Sequence, residues 1–352
     1  MDKKVLKIVT LFLGVLTAVM CLALPFFPKL HAYAVEARQE RILARQNEKI
    51  VVKHKDPEKV VEADNNVSAQ LKIELPKGMK KEDLSIQNNY LEQKITIRFP
   101  GGVEDYFSDY SMSGSSDHIQ GISYYRDNDD GVIEMELDQV CELSDTLEDG
   151  YLYVDFLEPH EVYDKVVVID AGHGAKAVGA VKQGIYEKDI NLAIVLELKK
   201  LLEADQNEKI GVYYTRTDDS NPSLEERVQL ANKADADLFI SVHNNSSGSG
   251  KMSGMNGTEV LYRSGDTEAL TSEHLAEICL SHVTASFESV SQGIKPRDDL
   301  YIIRNSEVPV VLIEVGFMTN ADELAKLGSG EYQAKAAAGI YDSIKQAFEE
   351  GY

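Results

Sequence analysis

The chain has 352 residues, 43% of them hydrophobic, which is enough for a sizeable core and, at roughly 150 residues per domain, for two domains with extra segments. A formal net charge of -23 argues against nucleic acid, because phosphate binding needs clustered Lys and Arg and the sequence shows no such cluster. The three cysteines stand far apart with no C-x-x-C pair, which argues against a disulfide framework, and Cys141 and Cys279 read as small buried apolar residues.

Lys3, Lys4 and Lys7 precede an uncharged segment from Ile8 to Leu24 that continues through Pro25, Phe26 and Phe27 to Lys29. About 20 apolar residues match the hydrocarbon core of a bilayer. Ala32-Tyr33-Ala34 offers an A-x-A cleavage site, although farther downstream than a signal with an apolar region of about 7–15 residues would place it. Residues 1–35 therefore read as a transmembrane anchor, with a cleaved signal as the alternative. In either case the lysines stay cytoplasmic and the remainder is exported.

Residues 36–62 are rich in Glu, Arg, Lys and Gln and too poor in large apolar side chains for a core, which suits a charged stalk or linker. Over 63–160 the runs LKIEL, KITIRF, GVIEMEL and YLYVDFL alternate with period two between Gly, Asn, Asp and Ser clusters. That pattern predicts a small β-rich domain, a sandwich, with His118 alone in a Ser- and Asp-rich loop at the surface.

Residues 165–352 alternate strand and helix signals. Strands are expected at KVVVID, IGVYYT, DLFISV, GTEVLY, LYIIR and VPVVLIEV. Helices are expected from Asp189 to Ala204, from Ser223 to Lys233, from Glu273 to Phe287 and from Gln333 to Glu349, with Ser223 as N-cap and Glu226 closing a capping box. This order predicts an α/β layered domain whose largely parallel sheet is flanked by helices.

Three apolar runs in this half end on residues able to do chemistry: His173 closes VVVIDAGHG, His243 sits in LFISVHNNSS, and Glu314 lies in VPVVLIEVGFMTN. With Glu187 in IYEKDINLA they are candidates for a hydrolytic zinc site, which takes three His, Glu or Asp ligands and a separate carboxylate to carry the proton. Taken singly, a histidine at a strand end is more often structural and a glutamate before a lysine is usually surface. The compact H-E-x-x-H pattern is also missing.

The run from VVVIDAGHG onward, with EKDINL, YYTRTDD, LEERVQLAN, DLFISVHNN and VVLIEVGFMTN in order, resembles the zinc-dependent N-acetylmuramoyl-L-alanine amidases of the amidase-3 type over more than half the chain. The resemblance implies that His173, Glu187 and His243 bind Zn2+ and that Glu314 is the catalytic glutamate. It implies as substrate the amide between the lactyl group of N-acetylmuramic acid and L-alanine in peptidoglycan. Ala171 and Asn244 stand where the family commonly has Pro and Ala, while Asn245 is kept; Asn245 is a candidate substrate contact or a turn former, and Arg216 reads as a structural ion-pair partner, with a substrate contact as the alternative. The interval between His243 and Glu314 leaves little length for a helical plug, so an uncovered site is expected. The competing readings are a zinc peptidase acting on stem peptides and a non-catalytic wall-binding scaffold. For the β-rich region the choice lies between wall targeting and a plain spacer.

Overall fold

The computed structural model describes residues 69–205, 209–266 and 270–352. The apolar N-terminal segment (1–35) and the charged stretch (36–62) lie outside these residues. Among the described residues no helix is long and apolar enough to cross a membrane.

The first part is mainly β, with only a 3-10 turn at Lys81–Asp83 and a short helix at Tyr106–Asp109 among its described residues. Strands β1 (Leu71–Glu74), β2 (Ser85–Asn89), β3 (Lys94–Pro100), β4 (Met112–Gly114), β5 (Ile119–Asp127), β6 (Asp130–Leu137), β7 (Glu142–Glu148) and β8 (Tyr151–Leu157) form two four-stranded sheets, ordered β4-β1-β8-β7 and β2-β3-β6-β5, with every pairing antiparallel. The alternation seen in the sequence becomes two inner faces: Ile73, Ile95, Ile97, Phe99, Ile133, Met135, Leu152 and Phe156 share one core. Cys141 is buried in the same core as a free thiol, pushed up to about 12 by desolvation. His118, expected at the surface, is half-buried with Nδ1 3.4 Å from Asp138.

The second part is a three-layer α/β structure. Strands β9 (Lys165–Ala171), β12 (Ile210–Tyr214), β13 (Leu238–Asn245), β14 (Thr258–Tyr262), β15 (Ser291–Pro296) and β16 (Val310–Phe317) make a six-stranded sheet ordered β12-β9-β13-β16-β14-β15, and β10 (Val181–Lys182) with β11 (Ile185–Tyr186) forms a separate hairpin. The first four strands of the large sheet are parallel, but β14 pairs antiparallel with β16 and carries β15 parallel to itself. The sheet is therefore mixed, and two of its strands run opposite to the rest.

Both faces are covered. Val167, Ile169, Ile240, Val242, Ile313 and Val315 face the helices Glu187–Ala204, Ser272–Phe287 and Gly330–Glu349. Val166, Val168, Phe239, Val310 and Leu312 face the helix Leu224–Lys233 and the short helix Tyr301–Asn305. Each such side chain contributes roughly 1.5–3 kcal/mol by leaving water, and near-continuous burial explains why these strands read as unbroken apolar runs. Cys279 is buried on the first face, again with its thiol raised to about 12 by desolvation.

One strand expected from the sequence is a helix. LYIIR forms the helix Tyr301–Asn305, where the adjacent Ile302 and Ile303 are both buried in one cluster. A strand would send neighbouring side chains to opposite faces, so packing overrides β-branched propensity here. The sheet position beside β14 is taken instead by SQGIKP, a half-exposed edge strand whose Gly and Pro hide it from pattern reading.

The sandwich packs on the same cluster. Val140 is buried in it and its N–H donates to Lys233 O at 3.0 Å, while Lys233 Nζ donates to Gln93 at 2.9 Å. Tyr90 and Tyr213 both donate to Glu142, at 2.8 and 2.7 Å, with their rings 4.9 Å apart edge to face.

Candidate active site

Side chains alternate along a strand, so the face that buries Val166 and Val168 next presents Asp170, and the face of Phe239 next presents Ser241 and then His243. By the same step Val310 and Leu312 lead to Glu314, and Leu261 leads back to Glu259. Across the strands His243 stands opposite Glu314 in parallel register, and Glu314 stands opposite Glu259 in antiparallel register. One row at the sheet edge therefore carries a histidine and two carboxylates.

His173 and Glu187 reach this row from outside the sheet. His173 follows β9 in the left-handed conformation, φ +64°, which turns the chain sharply and is uncommon for a side chain other than glycine. Glu187 is the first residue of the helix Glu187–Ala204, placed there by the hairpin before it. His173 Nε2 lies 3.1 Å and His243 Nδ1 3.0 Å from the same oxygen of Glu187, with the two rings 4.8 Å apart. The approach needs bare backbone, since a Cβ at Gly172 would fall 2.1 Å from His243 Nε2 and one at Gly179 2.4 Å from Glu187 Oε2.

Backbone amides complete the setting of Glu187: Asn244 N–H donates to Oε1 at 3.2 Å and Ala180 N–H to Oε2 at 2.8 Å. Burial alone would raise its pKa, but the hydrogen bonds and charges of His173 and His243 outweigh burial and hold it well below the usual carboxylate range. His243 is raised in turn: its burial acts downward, and Glu187 more than compensates.

The donor atoms of His173, Glu187 and His243 all lie within 4.8 Å of one another. Two imidazole nitrogens and one carboxylate oxygen are a ligand set that suits zinc. His173 keeps 30% of its side chain exposed, so the cluster is open on that side. Between His243 and Glu314 the described residues form helices only at Ser272–Phe287, packed on the sheet and the C-terminal helix, and at Tyr301–Asn305.

Glu314 is half-buried, and its buried Oε2 has no hydrogen-bond partner, whereas among the described residues nearly all buried side-chain polar atoms are paired. Burial raises its pKa to about 7, with Glu187 and Glu259 also acting upward against His243 and Arg297. A carboxyl group that is poised near neutrality and left unpaired beside a metal-ligand cluster has the character of a proton carrier.

The expected residues come together except Asn245, which stands past a register shift in β13. Its Oδ1 accepts from Ser246 N–H at 2.8 Å, a turn-type bond, and its amide reaches Glu259 at 3.4 Å. Arg216 is buried, but its donors go to carbonyl oxygens rather than to a carboxylate. Sequence reasoning passed over Glu259, buried beside Glu314 and paired with Lys295 of β15. The available signal was a glutamate at an inward position of GTEVLY. It also passed over Asp170, which accepts from Thr215, Ser241 and Arg227 at 2.6, 2.5 and 2.5 Å.

A mixed α/β sheet with such a row at its edge fits an enzyme that hydrolyses amides. The chain belongs to the N-acetylmuramoyl-L-alanine amidase family of the amidase-3 type, whose model matches residues 167–346. It is similar to YqiI of Bacillus subtilis (strain 168), with 40% identity over 186 residues, 53% of this chain and 86% of that protein. It is also similar to the N-acetylmuramoyl-L-alanine amidase LytC of the same organism, with 37% identity over 183 residues, 51% of this chain and 35% of LytC. Among solved structures, the catalytic domain of the N-acetylmuramoyl-L-alanine amidase CwlV from Bacillus (Paenibacillus) polymyxa var. colistinus matches at 39% identity and a TM-score of 0.48, covering 53% of this chain and 98% of that one. The enzyme is an N-acetylmuramoyl-L-alanine amidase, and the β-sandwich precedes the matched residues.

Proposed function

We propose that this amidase cleaves the bond between the lactyl group of N-acetylmuramic acid and L-alanine in peptidoglycan, with zinc held by His173, Glu187 and His243 and with Glu314 as general base and acid. The observation that carries the reading is the half-buried Glu314 carboxyl, its Oε2 buried and unpaired and its pKa raised to about 7, one strand from His243 in a three-residue cluster of candidate ligands. Bound zinc supplies Lewis-acid polarisation of the amide carbonyl and of a water molecule.

The remaining work belongs to the chain. Glu187, kept ionised by the two histidines, supplies the single negative ligand charge. Glu314 in its ionised form takes a proton from the attacking water and delivers it to the departing L-alanine nitrogen, so that a neutral amine leaves. Its raised pKa suits both halves of that task, since the group gives up a proton as readily as it accepts one near neutral pH. Asn245, at the rim of the row, is the candidate contact for the stem peptide.

Location supports the same reading. An apolar segment of bilayer length behind Lys3, Lys4 and Lys7 suits delivery of the enzyme to the outer face, held to the membrane or released after cleavage. The sandwich then acts as a wall-targeting module or a spacer.

The test is digestion of purified peptidoglycan by the zinc-loaded full chain, reading new amino termini. Stem peptides beginning with L-alanine are expected. Free D-alanine or cut peptides would make the protein a peptidase on the same site, and intact wall that sediments with the protein would make it a scaffold.

A further inference from the structure

Two arginines are buried directly behind the proposed ligand His173, and neither takes part in the proposed proton transfer. Arg227 is 2% exposed and Arg216 3%. Among the described residues only Asp170 forms a close ion pair with the two, through Arg227 at 2.5 Å. Burying a second guanidinium is costly unless its donors are fully used.

They are used on one short stretch of backbone. Arg227 donates to Ala171 O at 2.8 Å and to His173 O at 2.7 Å, besides Pro222 O at 3.0 Å. Arg216 donates to Ala171 O at 2.8 Å and Gly172 O at 3.0 Å, and its other bonds run to Lys188 O at 2.9 Å and Asp218 O at 2.8 Å. Asn191 adds a neutral donor to Gly172 O at 3.1 Å. Three successive carbonyls are thus taken by forked or amide donors, and the residues leaving this cradle, His173, Gly174 and Ala175, have φ of +64°, +140° and +43°. A non-glycine residue in that region is strained and persists only where its surroundings hold it there. Lys188 O ties in the helix that carries Glu187, and Asn191 accepts from Asn244 at 2.7 Å, beside His243. All three proposed ligands therefore lean on the same cradle.

We propose that Arg216 and Arg227, with Asn191, are positioning residues that hold the Ala171–His173 backbone in the conformation from which His173 reaches Glu187 and His243. The inference rests on the zinc reading of that cluster. Guanidinium geometry is the point of the device, because lysine has the charge but not the fork needed to serve several carbonyls at once.

The test compares the full chain with Arg227→Lys, Arg216→Lys and Asn191→Ala, and with Val228→Ala as a control that loosens the same helix without touching the cradle. The readouts are zinc affinity by competition with a chromogenic chelator and the visible absorption of the cobalt(II) form. Zinc affinity weaker by about 10–100-fold, with an altered cobalt spectrum, is expected in the three cradle variants and not in Val228→Ala. Should the lysine variants fail to fold, Asn191→Ala carries the comparison, since it removes no charge, only a neutral amide that donates to Gly172 O and accepts from Asn244. Wild-type affinity and spectrum in the folded cradle variants would overturn the proposal. A wild-type chain that binds no zinc would instead overturn the metal reading on which it rests.

Discussion

At the scale of single residues, Glu314 sets its proposed role against stability. Its folded pKa, about 7, lies above its ordinary 4.5, so relative to a neutral group it costs nothing at low pH, and the cost grows as pH rises from 4.5 and levels off above about 7. In metal-free protein Glu314→Gln is therefore expected to raise stability by up to about 3 kcal/mol at pH 8 and by little at pH 4, measured by urea unfolding. Equal effects at the two pH values would show that the carboxyl is not burdened as described. Asp170 has the opposite sign: burial works against its ionised form, but Arg227, Ser241 and Thr215 win and hold it below 3.8. Its contribution is present above about pH 4 and is lost as pH falls through the depressed folded value. Asp170→Asn leaves Arg227 buried without its carboxylate and is expected to cost about 3–5 kcal/mol at neutral pH, with a shallower loss of stability in acid. Gly172→Ala places a methyl group against the His243 ring, so loss of zinc binding in a still-folded protein is expected by chelator competition.

At the scale of elements, Ser223 caps the helix Leu224–Lys233 as its sequence predicts: its hydroxyl accepts from Glu226 N–H at 3.2 Å and Glu226 reaches back to Ser223 N–H at 2.6 Å. Ser223→Ala is expected to cost about 1 kcal/mol in chemical unfolding, and no change would mean that packing alone holds the helix start. The cap was legible because it is local, as were the strands, whose apolar runs are broken by a polar side chain at Asp170, His243 and Glu314. What sequence pattern could not carry was competition for places in the sheet. LYIIR has the better strand composition, yet SQGIKP takes the edge, because the paired isoleucines gain more in the cluster beneath the helix Leu224–Lys233. Glu187 was legible only through family resemblance, since a glutamate before a lysine reads as surface until the hairpin turns it inward. The arginine cradle was invisible because its partners are backbone carbonyls, which every residue has.

At the scale of the molecule, the sandwich and the catalytic layers share a cluster in which Val140 is buried. Val140→Asp places a charge there and is expected to split calorimetric unfolding into two transitions, whereas a single transition at lower temperature would mean that the two parts unfold together regardless. The central claim, that this amidase works through Glu314 beside a zinc cluster of His173, Glu187 and His243, is tested most directly by digesting purified peptidoglycan with the zinc-loaded full chain and with Glu314→Gln. The account predicts stem peptides with new L-alanine amino termini from the wild type, and release slower by about 10²–10⁴-fold from a variant that still binds zinc. Equal release from both proteins would contradict it.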